Sequence, residues 1–146
     1  MSIVQSATTS FKVELLQAVH NFGPTSANTF KCALFTAAAN INQSTTEYTV
    51  GMTGEVSDSG TGYTTGGNAA ATVSATQSNG TYKLVLSSPT AWTASGAGFS
   101  FQYAVLTDST TGTNVAYWDY GSSQAVAAGE TVTVTLDGTN GVFQAT

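Results

Sequence analysis

The chain has 146 residues, a length that fits one domain able to bury roughly 70% of its unfolded surface without disulfides. Only 8% of residues are charged, against about a quarter in ordinary soluble proteins, while 41% are apolar and Thr, Ser, Asn and Gln supply the polarity. A net charge of −5, with three Lys and no Arg, excludes the clustered cations needed to grip a phosphate backbone or an anionic membrane surface.

In chain order, residues 1–9 are small and polar around an Ile3-Val4 patch and are expected to form an arm. No charged start or long apolar core marks a signal peptide here, so synthesis in a cytoplasm is expected. Phe11, Leu15, Val19 and Phe22 recur at helical spacing, with Leu16 widening the stripe. The pattern predicts an amphipathic helix over 10–22, with Ser10 as N-cap, Glu14 in the first turn and Gly23-Pro24 as the stop. Thr29 to Thr36 is apolar on both faces and is expected to be a central strand, with Cys32 a buried, unpaired thiol. Residues 37–67 form a long loop dense in Thr, Ser, Asn and Gly, a length that calls for function or for packing by its own side chains.

Asn79-Gly80 between alternating segments, 69–77 and 81–87, predicts a hairpin, closed by Pro89. Trp92 is placed in a connection capping the core. Residues 99–106 and 114–120 alternate as strands about a turn at Asp108 to Gly112. Residues 130–136 place Val132, Val134 and Leu136 inside and Thr131, Thr133 and Thr135 outside, and Val142 to Ala145 reads as an edge strand. Six or so strands and one N-terminal helix predict a mainly β, single-domain β-sandwich or jelly-roll-like barrel.

Chemistry is sparse. The one histidine, His20, reads as a helix-surface residue, with no nucleophile elbow to serve. One His and one Cys cannot build a zinc tetrad. Glu55 and Asp58 flank a glycine turn but miss calcium-loop spacing, and an Asx turn at Asp58 explains them better. Asp119 and Glu130 are the only carboxylates on or beside strands that could form a glycosidase pair, and Tyr117, Trp118 and Tyr120 could line a sugar face. Packing as core and rim explains these aromatics better. Two glycosylation sequons, at Asn42 and Asn79, would matter only in a secretory pathway and are read as chance.

A run of motifs does stand out. It comprises Thr29-Phe30-Lys31-Cys32-Ala33-Leu34-Phe35-Thr36, then Ser44-Thr45-Thr46-Glu47-Tyr48-Thr49, then Glu55-Val56, then Gly60-Thr61-Gly62-Tyr63-Thr64-Thr65-Gly66-Gly67. Together with the helical segment before it, this run resembles a family of small structural proteins of tailed-bacteriophage virions, found in head, tail or fibre. Phe35 stands where Tyr is commoner, and the second half agrees only in strand pattern. The resemblance implies a virion component with no catalytic residues and no cofactor. The function expected from it is capsid decoration, or cement, on a tailed-phage head. Self-association, as a homotrimer, and binding to the major capsid protein or other virion proteins are expected, with no nucleic acid and no membrane as partners. Expected interface residues are Ser2, Ile3, Val4, Tyr48 and Tyr63. The alternatives are a tail, neck or fibre module of the virion and, from another class, a carbohydrate-binding module.

Overall fold

The computed structural model describes residues 3–23 and 28–145; Ser2 and Pro24, both named above, lie outside them. The protein is mainly β, with antiparallel sheets packed around a shared core and one short helix near the N-terminus, a β-sandwich-like arrangement. The elements are β1 (Val4–Ala7), α1 (Phe11–Leu16), β2 (Phe30–Phe35), β3 (Asn68–Ala69), β4 (Thr72–Ser78), β5 (Thr81–Leu86), β6 (Trp92–Thr93), β7 (Phe99–Asp108), β8 (Thr113–Val126), β9 (Thr131–Val132) and β10 (Phe143–Ala145). A five-stranded sheet runs β1-β8-β7-β2-β3, a three-stranded sheet β10-β5-β4, and β6 pairs with β9.

β2 is apolar on both faces because both faces of its sheet are covered. Phe30, Cys32 and Leu34 face the main core, where they meet Leu84 and Leu86 of β5, Trp92, Val134 and Leu136. Ala33 and Phe35 face the other way, with Tyr103, Val105 and Tyr117, and are covered by Ile41 and Tyr48 of the long loop. That loop is therefore a packing layer, opened by a 3-10 turn at Ala37–Ala39. Cys32 is fully buried and unpaired, and burial pushes its thiol up to about 12.

Local chemistry sets several boundaries as expected. Asn79 and Gly80 both take positive φ, 51° and 81°, the signature of a type I′ turn joining β4 to β5. Asp108 closes the β7–β8 turn by accepting the Thr110 amide on its side chain and the Gly112 amide on its carbonyl. β10 pairs with β5 at a sheet edge.

Several expectations are corrected. Residues 4–7 are not a free arm: β1 pairs with β8 in continuous register from Val4↔Asp119 to Ala7↔Ala116. The helix stops at Leu16, because Ala18 adopts φ 56° and the Val19 amide bonds the Glu14 carbonyl, a Schellman ending on a non-glycine residue. Ser10 makes no side-chain cap. That early turn leaves Leu16 outside the stripe, 89% exposed, and swings His20 and Phe22 into the interior. Trp92 belongs to β6 rather than a connection and is almost wholly buried. Residues 131–136 keep the predicted alternation of burial, with Val134 and Leu136 inside and Val132 half-buried, but only Thr131–Val132 join a ladder. Alternation reports which side is covered and does not guarantee a neighbouring strand.

Candidate functional site

A partly buried polar cluster, a buried one and a cleft are the candidate places for chemistry. The first centres on Glu55. Its Oε1 accepts the Tyr63 hydroxyl at 2.9 Å and the Gly66 amide at 2.7 Å. Its Oε2 accepts the Tyr48 hydroxyl at 3.0 Å and the Gly51 amide at 2.7 Å. The Tyr63 hydroxyl in turn accepts the Leu34 amide at 3.1 Å. Glu55 bridges Phe35 through its backbone, and the Val56 amide donates to the Leu34 carbonyl at 3.0 Å. One carboxylate thus receives four donors from three stretches of the loop and docks them on β2. Burial, reinforced by the Glu55 carboxylate, raises the pKa of the Tyr48 hydroxyl, and the same causes raise that of Tyr63 despite the Leu34 amide. Both phenols therefore remain donors well into alkaline solution.

Glycines let the loop come this close. At Gly67, with φ +69°, a Cβ would lie 2.0 Å from the Cys32 carbonyl oxygen. At Gly62, with φ +81°, a Cβ would lie 2.2 Å from the Thr93 carbonyl oxygen. Leu34-Phe35, Tyr48, Glu55-Val56, Tyr63 and Gly66 of the motif run are thus parts of one hydrogen-bonded assembly. Tyr48 and Tyr63, expected at an interface, are buried inside the protomer and spend their hydroxyls on Glu55. Both Glu55 oxygens are taken by the loop donors, and the neighbouring turn is held by Ser57, which accepts the Ser59 amide on Oγ and the Thr61 hydroxyl on its carbonyl. The Asx turn expected at Asp58 is replaced by this serine turn, and the two acids do not converge on a cation.

The second cluster surrounds His20, which is buried rather than on the helix surface. Its Nδ1–H donates to Asp108 Oδ2 at 2.8 Å and its Nε2–H to Glu14 Oε2 at 3.1 Å. Ionised carboxylates only accept, so the two bonds form together when the ring carries a proton on both nitrogens, the form that its raised pKa favours. Asn28 Nδ2 adds a third donor to Asp108 at 2.5 Å. The ring stacks on Phe22 at 5.6 Å and packs against Phe11 at 5.3 Å. Burial by itself would lower the pKa of His20, but the bonds to Asp108 and Glu14 outweigh it and raise the value. Burial likewise opposes ionisation of Asp108, yet the bonds from His20, Asn28 and Thr110 hold its carboxyl below the usual range. With both nitrogens donating, neither can take a proton from a nucleophile. The cluster works as a clamp joining α1 to the β7 end.

The cleft, about 530 Å³, opens where β8 bulges and residues 120–123 stand opposite Gln102 alone. Phe101, Tyr120, Val126 and Val132 line it, with Ile3 and Glu130 at hand. The expected sugar-binding aromatics do not converge there. Tyr117 is buried against Phe35 and Tyr48 on one face of the sheet, whereas Trp118 and Tyr120 pack against the main core on the other. Asp119 lies near Tyr103 on the Tyr117 side, bonded by Gln102 at 3.1 Å, while Glu130 beside the cleft caps the Ala127 amide at 2.7 Å. A two-carboxylate centre is not formed by this pair. Among the described residues no group of three or more His, Cys, Asp or Glu could hold a metal ion, and no helix is long and apolar enough to cross a membrane.

Ile3 and Val4 are the expected interface residues that do reach the surface, 50% and 54% exposed. The sequence does not reveal Glu14 and Asp108 as His20 partners, or Asn28 as a second donor to Asp108, since the bonded residues are up to 88 positions apart and share no motif. Comparison of the chain with family models, with curated proteins and with solved structures finds no match.

Proposed function

We propose that this chain is a non-enzymatic structural protein of a tailed-phage virion, a decoration or cement protein that binds the head shell as a homo-oligomer and contacts the major capsid protein. The observation that carries the reading is the convergence of the family-like motifs on Glu55. Residues that recur together in that family would do so here because they dock a loop on a sheet, a task of shape. The buried histidine supports the same reading, since its nitrogens are committed to two carboxylates. A surface low in charge also suits subunit contact, because interface centres are depleted in Lys, Glu and Asp. Val4, on the open edge strand β1, and Ile3 just before it are the proposed contact, together with the outer surface of the loop.

A protein of this kind stabilises the shell by binding its assembled form and not its loose subunits. Mixing the purified chain with assembled shells that lack it, then sedimenting, should carry the chain down with the shells and leave it free beside unassembled subunits. Equal binding to both forms, or to neither, would remove the cement role. Exchange of Ile3 and Val4 for Ser should reduce co-sedimentation while leaving the fold intact, and unchanged co-sedimentation would take β1 out of the contact.

A further inference from the structure

The dipeptide Asn-Gly occurs twice, at Asn79-Gly80 and at Asn140-Gly141. Glycine after asparagine leaves the backbone nitrogen unshielded by a Cβ and open to the neighbouring carboxamide. The fold treats the two copies in opposite ways. Asn140 is held three times over, its amide on Asp137 Oδ1 at 2.7 Å, its Nδ2 on Asp137 Oδ2 at 2.9 Å, and its carbonyl under Gln144 Nε2 at 2.5 Å. The Gly141 amide bonds the Asp137 carbonyl at 3.1 Å, and a Cβ there would lie 2.3 Å from the Leu84 carbonyl oxygen, so the backbone is packed. Asn79 sits on the exposed tip of the β4–β5 hairpin, where neither its carboxamide nor the Gly80 amide has a hydrogen-bond partner among the described residues. A Cβ on Gly80 would meet nothing within 4 Å.

We propose that Asn79 is a site of spontaneous covalent modification, deamidating through a succinimide, and that the fold protects Asn140 from the same reaction. The Gly80 nitrogen loses its proton and attacks Asn79 Cγ; the Cγ–Nδ2 bond breaks and ammonia leaves. Water then opens the five-membered ring at either carbonyl and gives aspartate or isoaspartate, with no oxidant or reductant required. Either product adds a negative charge to a chain whose formal net charge is −5. Isoaspartate also inserts a carbon into the main chain of a two-residue turn that sets the register of β4 against β5. The inference rests on the two turns alone and stands whatever the chain assembles with.

The test is peptide mapping by mass spectrometry after prolonged incubation near neutral pH, on the folded protein and on the same protein unfolded in urea. In the folded chain the Asn79 peptide should gain one mass unit and split into two isomers, at least about tenfold faster than the Asn140 peptide, which must wait for local opening. In urea the two peptides should convert at similar rates. An Asn79→Ala variant should lose the modified fraction. Equal conversion at both sites in the folded protein, or an intact Asn79 when the unfolded chain has reacted at both, would overturn the proposal.

Discussion

The loop hub at Glu55 holds a partly buried carboxylate and the corner at His20 a fully buried one, and they are built on different principles. Glu55 is surrounded by neutral donors, two phenols and two backbone amides, so no counter-ion has to be desolvated with it. His20, when protonated, is one cation between two carboxylates, with contacts of 2.8 and 3.1 Å. Desolvating ions costs several kcal/mol apiece and is recovered only while every partner stays charged. The hub should therefore hold across a wide alkaline range, while the corner depends on one proton. A loop that must keep its shape is better fixed by the first design, and the helix-to-sheet joint, built by the second, becomes the pH-sensitive point of the molecule.

The largest expected effect comes from breaking the hub. Glu55→Ala leaves two tyrosine hydroxyls and two amides without their acceptor and should cost about 3–5 kcal/mol in urea unfolding. A loss below about 1 kcal/mol would mean that the loop is held elsewhere. Next is Gly67→Ala, which forces a Cβ into the Cys32 carbonyl at positive φ and should cost more than about 1 kcal/mol, read as a lower urea midpoint.

The corner should show itself through pH. His20 has its folded pKa raised above the ordinary 6.5, so its contribution is complete below that pH and is lost as pH rises through the folded value. Asp108 has its pKa lowered below 3.8, so its contribution is present above that pH and is lost as pH falls through the folded value. Stability should be greatest between these limits, and His20→Gln should flatten the alkaline limb in denaturant titrations. An unchanged alkaline slope in the variant would contradict the imidazolium clamp. The smallest effect is expected at Leu16→Ser, on a side chain 89% exposed, with a change within about 0.5 kcal/mol.

Much of the fold was legible because it follows from local rules. The type I′ turn at Asn79-Gly80, the double-faced apolar strand at Phe30 to Phe35 and the inward run of Val134 and Leu136 need only near neighbours to be read. What escaped was decided by distant partners. The helix was too short to be secured by its own hydrogen bonds, and stopping it at Ala18 brings His20 to Asp108 and Phe22 onto Phe30. The arm became β1 because β8 offered it an edge. The motif run could be seen in the sequence, but its meaning, four donors on one glutamate, needed the loop to close.

The central proposal, a virion component on the head, is tested most directly by labelling intact purified particles with a gold-tagged antibody against this chain. Label spread over the head is the expected result, and label confined to the tail would move the chain to a tail, neck or fibre role. Particles that carry no label, with the epitope shown to be accessible, would contradict a place in the virion and return attention to the cleft beside Tyr120, where titration with glycans is the next experiment.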